Sequence, residues 1–392
     1  MGTTHNITPA EKSQEALSLR EIAADRKAAA RVMSRLLWQA GFPEEADTVA
    51  QCGDNILLRH YEDGSEDVAA ALYCKHRLCP TCQWRRSRKA AGQLSAIMDY
   101  MDAQRVQAKG KPWAWIALSY SPQNVWIEDV GDRLDRMQKS FGRLMRKAPL
   151  SVAAGAVRCI EVRRSDGAHN PAWKGSYQVH IHSLLAVPPS YFTSRAYISR
   201  ERWGELLHEC LDFMPWIPLQ YYVERVDKKS GRMEGTAAET AKYITKFDLP
   251  YYAEPGQGYK DSPDLYGLAM LNIELRGRHM IQYYGDMRKA RQALFAPEDD
   301  PDNPRADLSD ILPTRPDLAY TLVALHYQMG VGYIPVKLPP KNILWKIYRS
   351  REDGASENLA ADLRQAGIEA TTRGDMILRI HKGLELPADR LR

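Results

Sequence analysis

The segment CKHRLCPTC, residues 74–82, restricts the fold of this chain more than any other stretch, because Cys74, Cys79 and Cys82 fall together and Cys52 stands ahead of them. The spacing is C-x21-C-x4-C-x2-C. Structural zinc takes four thiolate or imidazole ligands in a tetrahedron, usually as pairs held by short turns. Cys79-Pro80-Thr81-Cys82 supplies one tight pair, Cys74 and Cys52 complete a set, and His76 and His60 are alternative ligands. The competing reading is four buried cysteines without metal. A disulfide framework fits poorly. The chain opens MGTTHNITPAEKSQE, with no basic-then-apolar leader, so the expected compartment is the cytoplasm, where thiols stay reduced. Cys159 and Cys210 stand alone and are expected to pack as small hydrophobes.

With 392 residues, 44% of them apolar and 26% charged, the chain has the balance of a globular protein of two or three domains. No apolar run approaches the roughly 20 residues of a membrane helix. The net charge of +5 is a weak pointer to nucleic acid, but its distribution says more. From Lys75 to Lys89 there are six Lys/Arg and no acid. Arg77, Arg85, Arg86, Arg88 and Lys89 are therefore candidate phosphate contacts. From Glu298 to Asp310 there are six acids against one arginine, and five prolines fall in 297–316, which reads as a solvated linker.

Hydrophobic spacing organises the remainder. Thr8-Pro9-Ala10-Glu11 reads as a helix start, followed by Leu19, Ile22, Val32 and Leu36 at helical intervals and stopped by Gly41-Phe42-Pro43. A basic helix runs over about 84–104. Strands are expected at 113–120, 157–163, 176–187 and 219–226, with helices at 132–146, 191–213 and 236–246. Hairpin-joined strands interleaved with helices predict an α+β layer built on an antiparallel sheet. The expected divisions are 1–110, a helical and zinc-binding module; 111–296, the main α+β domain; 297–316, the linker; and 317–392, a separate small α+β unit.

Two segments carry candidate chemistry. In YQVHIHSLLAV, His180 and His182 share one strand face, since side chains at i and i+2 point the same way. Two imidazoles so placed are half of a divalent-metal site. In ETAKYITK, Glu239, Tyr243 and Lys246 share a helix face, which groups a carboxylate, a phenol and an ammonium as a nucleophile with helpers. A phenol with a pKa near 10 attacks well only where a cation favours the phenolate.

In this order the chain resembles the HUH endonucleases, and within them the replication initiators of rolling-circle plasmids. The residues that carry the resemblance are CKHRLCPTCQWRRSRK, IALSYSPQNV, VRCIEVRRSDG, YQVHIHSLLAV, ETAKYITK and LRGRHMIQYYGDMRKA, across about residues 52–295. The resemblance implies an antiparallel-sheet HUH core with helices on one face, and a site-specific nickase and strand transferase of single-stranded DNA. Tyr243 would be the nucleophile, forming a 5′-phosphotyrosine link. His180 and His182 would hold Mg2+ or Mn2+, with Glu161 as first choice of third ligand and Gln178 as second. Glu239 would activate water to end the cycle. Lys246 would steady the phenolate or phosphate, with Lys242 as a lesser helper. Zn2+ would be structural. Implied partners are plasmid origin DNA (the single-stranded nick site in its hairpin and the flanking duplex) and the host helicase and polymerase, with no membrane. The alternatives are an HUH transposase, which tends to carry two tyrosines where this chain has only Tyr243, and a non-catalytic zinc-containing DNA-binding regulator.

Overall fold

The structure, a computed structural model, describes residues 18–168, 170–213, 216–226, 264–295, 302 and 317–336. Helix α1 (Leu19–Gln39) begins at a capping box: the Ser18 side chain accepts from the Glu21 amide and Glu21 reaches back to the Ser18 amide. This box starts the helix that carries Leu19, Ile22, Val32 and Leu36; Thr8 lies outside the described residues. Gly41 takes φ +91°, a left-handed conformation that glycine adopts without cost, and the chain turns into α2 (Pro43–Gln51).

A hairpin then forms that hydrophobic spacing does not announce, β1 (Asn55–Tyr61) and β2 (Glu66–Ala71). Its strands are buried on both faces nearly throughout, so the period-two alternation that signals a half-exposed strand is missing. Arg59 and Asp67 pair across it at 3.0 Å, both buried. Helix α3 (Pro80–Gln107) follows, then β3 (Ala114–Pro122), α4 (Val130–Leu144), β4 (Gly155–Arg164) and β5 (Tyr177–Val187). The expected helix over 191–213 is shorter. Ser199 caps a fresh start, so α5 spans Arg200–Leu211, behind a 3-10 turn at Pro189–Thr193. The remaining described elements are β6 (Leu219–Val226), α6 (Leu265–Glu274), β7 (Ile281–Tyr284), α7 (Gly285–Leu294), β8 (Tyr320–Gln328) and β9 (Gly332–Pro335).

The strands form two antiparallel sheets. The larger has the order β6-β3-β5-β4-β7 and the smaller β2-β1-β8-β9. For the described residues 317–336, the smaller sheet departs from the expectation of a separate unit over 317–392. Its described part pairs with β1 along the whole strand, from Asn55↔His326 to Tyr61↔Tyr320, and so completes the N-terminal module. Asp302, the one described residue of the expected linker 297–316, departs from a solvated run: it is only 1% exposed.

Alternation along β5 sorts the core of the larger sheet. Val179, Ile181 and Leu185 face a layer that includes Leu134, Met137 and Phe141 of α4 and Trp203, Leu206 and Leu207 of α5. Leu184 and Ala186 face the other way, into a core with Leu94, Ile97 and Met98 of α3 and Met287 and Ala290 of α7. Beyond the helical layer expected on one face, a second one therefore covers the opposite face at this end of the strands. Each buried Leu or Ile contributes about 1.5–3 kcal/mol relative to exposure. His180 and His182 continue the second face toward the start of β5, where they are half-buried.

Candidate metal centres

Strands β4 and β5 run antiparallel from Gly155↔Ala186 to Arg164↔Tyr177, and this register sets Glu161 directly opposite His180. Paired residues share a face, so Glu161, His180 and His182 converge. The His182 Nε2 lies 2.9 Å from the Glu161 Oε2, and the two imidazoles stack with centroids 4.7 Å apart. All three ligand atoms fall within 4.8 Å of one another. Glu161 is 5% exposed and the His182 side chain 16%. Burial, then the neighbouring His182 and Arg163, push the His180 pKa down to about 3. At neutral pH His180 is therefore an uncharged imidazole, the form that binds a metal. Two nitrogens and a carboxylate oxygen suit a divalent ion that also accepts water or phosphate oxygens. Gln178 lies on the same face one step further along, opposite Arg163.

The four cysteines are brought together as well. Cys52 caps the end of α2, Cys74 follows β2, Cys79 caps α3 and Cys82 sits in its first turn. Their sulfurs lie within 4.8 Å of one another, with Cys52–Cys82 and Cys74–Cys82 both at 3.5 Å. A tetrahedral ion with metal–sulfur bonds of about 2.3 Å needs sulfurs about 3.8 Å apart, so the donor set fits such an ion. The amides of Cys74 and Lys75 donate to the Cys52 and Cys82 sulfurs at 3.4 and 3.1 Å, bonds that favour the thiolate. Lys75 reaches this position through a positive φ of 63°. Burial pushes the Cys82 thiol well up, so a cation is what would let it ionise there. The alternative ligands are engaged elsewhere: His76 pairs with Glu45 at 2.7 Å and His60 with Glu66 at 3.1 Å.

The basic stretch needs correction as a DNA-contacting surface. Arg85 and Arg86 are 1% and 2% exposed. Arg86 donates to the carbonyls of Lys75 and His76 and bolts the cysteine loop onto α3, while Arg85 lies over the rings of Tyr73 and Trp84. Arg77 is also committed, to Asp302 at 2.6 Å and to the Arg278 carbonyl at 2.8 Å. Of the five, Arg88 is exposed and Lys89 half-buried. Asp302 further accepts from the Ile281 amide at 3.2 Å. The acidic run that contains it gave no sequence signal of this anchoring. Glu239, Lys242, Tyr243 and Lys246 lie outside the described residues.

An antiparallel sheet with a His-hydrophobic-His pair and a carboxylate on adjacent strands, joined to a four-thiol module, defines a class of protein that carries one buried and one open metal-ready centre. Residues 65–323 match the Rep_1 replication-protein family, and the chain belongs to it. It is 32% identical over 228 residues to a "Protein rep" of Streptococcus pneumoniae, covering 56% of this chain and 66% of that protein. A "Protein rep" of Lentilactobacillus hilgardii is 27% identical over 255 residues, 64% of this chain and 76% of that protein. A third, of Staphylococcus aureus, is 32% identical over 167 residues, covering 41% and 67%. No solved structure matches the chain. Among the described residues no helix is long and apolar enough to cross a membrane.

Proposed function

We propose that this replication protein starts rolling-circle replication of a plasmid by nicking one strand at the double-strand origin. The observation that carries the reading is the convergence of Glu161, His180 and His182 on one open sheet face. These three would hold Mg2+ or Mn2+, which when bound supplies Lewis-acid polarisation of the scissile phosphate and charge to balance the leaving oxygen.

Tyr243 is the nucleophile. Its phenol oxygen bonds to phosphorus as the bond to the 3′-oxygen breaks, the phenol proton is lost, and the released 3′-oxygen takes up a proton. The product is a 5′-phosphotyrosine and a primer 3′-hydroxyl. Lys246, and to a lesser degree Lys242, steadies the phenolate or the phosphate. Glu239 later takes a proton from water, whose oxygen displaces the tyrosyl oxygen and ends the cycle. The Cys52–Cys74–Cys79–Cys82 set holds Zn2+ in a structural role. Arg88 and Lys89 are the members of the basic stretch placed to contact DNA. The substrate is the single-stranded nick site, presented by a hairpin with its flanking duplex. The protein works in the cytoplasm, and host helicase and polymerase take over from the nick.

The test is covalent trapping on a single-stranded origin oligonucleotide. Tyr243→Phe should abolish nicking and adduct while keeping DNA binding; nicking near the wild-type rate would overturn the nucleophile. In the same assay Glu239→Ala should form the adduct but resolve it about 100- to 10,000-fold more slowly. Loss of the first nick together with metal affinity would instead make Glu239 a ligand.

A further inference from the structure

Strand register places more than the three ligands on the metal face. Ser119 of β3 pairs with His182 on one side and with Tyr222 of β6 on the other, so His182, Ser119 and Tyr222 form one row across the sheet. In the next row Ala117 lies between Leu184 and Glu224, and Ser121 pairs with Gln220. Strand β3 offers Trp115, Ala117, Ser119 and Ser121 to this face; Trp115 and Ser121 are buried, so the accessible floor is Ala117 and Ser119. At about 4.8 Å between strands, the Tyr222 backbone stands about 10 Å from that of His182. The result is a trough one strand wide, floored by small side chains, with the metal ligands along one side and Gln220, Tyr222 and Glu224 along the other.

Strand β6 alternates. Leu219, Tyr221 and Val223 pack against the core, whereas Gln220, Tyr222 and Glu224 are exposed. Tyr222 is 57% exposed, yet its hydroxyl is pinned, donating to the Glu224 carboxylate at 2.6 Å. That bond pushes the phenol pKa up and fixes the direction of the hydroxyl. What it offers is an oriented ring. A flat, neutral aromatic face stacks on any unpaired base. The negative Glu224 beside it repels phosphate, which leaves the cation-binding side of the trough for the backbone and the Tyr222 side for the base.

We propose that Tyr222 is a stacking platform for an unpaired DNA base next to the scissile phosphate, with the trough over Ala117 and Ser119 as the single-strand track. This rests on the nicking reading above for the word scissile, but the binding it requires does not depend on chemistry.

The experiment uses the full chain carrying Tyr243→Phe, so that no adduct forms. Binding of a short fluorescent oligothymidylate is compared with that of an abasic oligonucleotide of equal length, with and without Tyr222→Ala. Stacking on one base is worth about 5- to 100-fold in affinity. Tyr222→Ala should therefore weaken oligothymidylate binding by that factor and leave abasic binding unchanged. Tyr222→Phe, which keeps the ring, should stay within a few-fold of the parent and controls for folding. Equal affinities for oligothymidylate with and without Tyr222→Ala, or an equal loss on the abasic strand, would overturn the platform. With Tyr243 restored, Tyr222→Ala should raise KM for nicking and spare kcat at saturation. Absence of any adduct in the chain with Tyr243 intact would overturn the nicking reading while leaving the binding result intact.

Discussion

The two metal-ready centres are built on opposite plans. The cysteine cluster draws its donors from a helix end, a loop and a helix start between Cys52 and Cys82, and Cys52, Cys79 and Cys82 are at most 2% exposed. The Glu161–His180–His182 cluster draws nitrogen and oxygen donors from two central strands, with both imidazoles half-buried. A saturated, closed sulfur shell suits a metal whose task is to hold the fold, whereas an open nitrogen and oxygen shell leaves room for a substrate. On the proposed reading the chain separates holding from reacting, and Arg77 with Asp302 joins the two regions. Arg77 lies in the cysteine loop, and Asp302, its partner, bonds the amide of Ile281, a residue opposite Cys159 on the sheet of the open centre.

The comparison is broken most violently at the closed centre. Structural zinc sites contribute on the order of 10 kcal/mol, comparable with the whole stability of a domain. Cys82→Ala should therefore lose its metal and unfold the N-terminal module. Elemental analysis with circular dichroism reads this, and an unchanged melting curve would reduce the cluster to ordinary packing.

The link comes next. Asp302→Asn breaks a buried ion pair and should cost about 3–5 kcal/mol, read by urea unfolding. Burial raises the Asp302 pKa, but His279, Arg77 and the Ile281 amide outweigh it and hold the carboxyl below its usual range. The unfolded chain then takes up the proton first, so this contribution is complete above the ordinary aspartate value and fades as pH falls below it. The gap between wild type and variant should shrink in acid; a gap that ignores pH would assign the cost to shape instead of charge.

The smallest effect on stability belongs to the open centre. His182→Ala should change unfolding by about 1 kcal/mol and yet lower Mn2+ affinity at least about tenfold, measured by calorimetry. A large stability loss with metal affinity intact would erase the distinction between the two plans.

The open centre was largely legible in the sequence because strand geometry is nearly sequence-local: His180 and His182 share a face by their spacing, and Glu161 needed only a hairpin between neighbouring strands. The four cysteines announced themselves by type. What escaped depends on distant pairing. Residues 55–61 and 66–71 are buried on both faces and so show no alternation, and their sheet is completed by strands that follow a proline-rich acidic run. Asp302 looks like one solvated acid among six until Arg77 meets it. Arg85 and Arg86 read as DNA contacts because charge suggests a surface, but their guanidinium groups hold the cysteine loop and stack on aromatic rings.

The pairing of β1 with β8 also sets a timetable. A ribosome delivers the β1–β2 hairpin and all four cysteines long before residues 320–328 emerge, so β1 spends most of synthesis with one edge bare. Such edges recruit other strands, and pairing across so long a separation is slow. On the proposed reading, metal capture by the thiols would be local and would precede it. An ion taken up early would hold the hairpin in place until its late partner arrives, and metal supply during translation would then set how much chain reaches the native state rather than an aggregate.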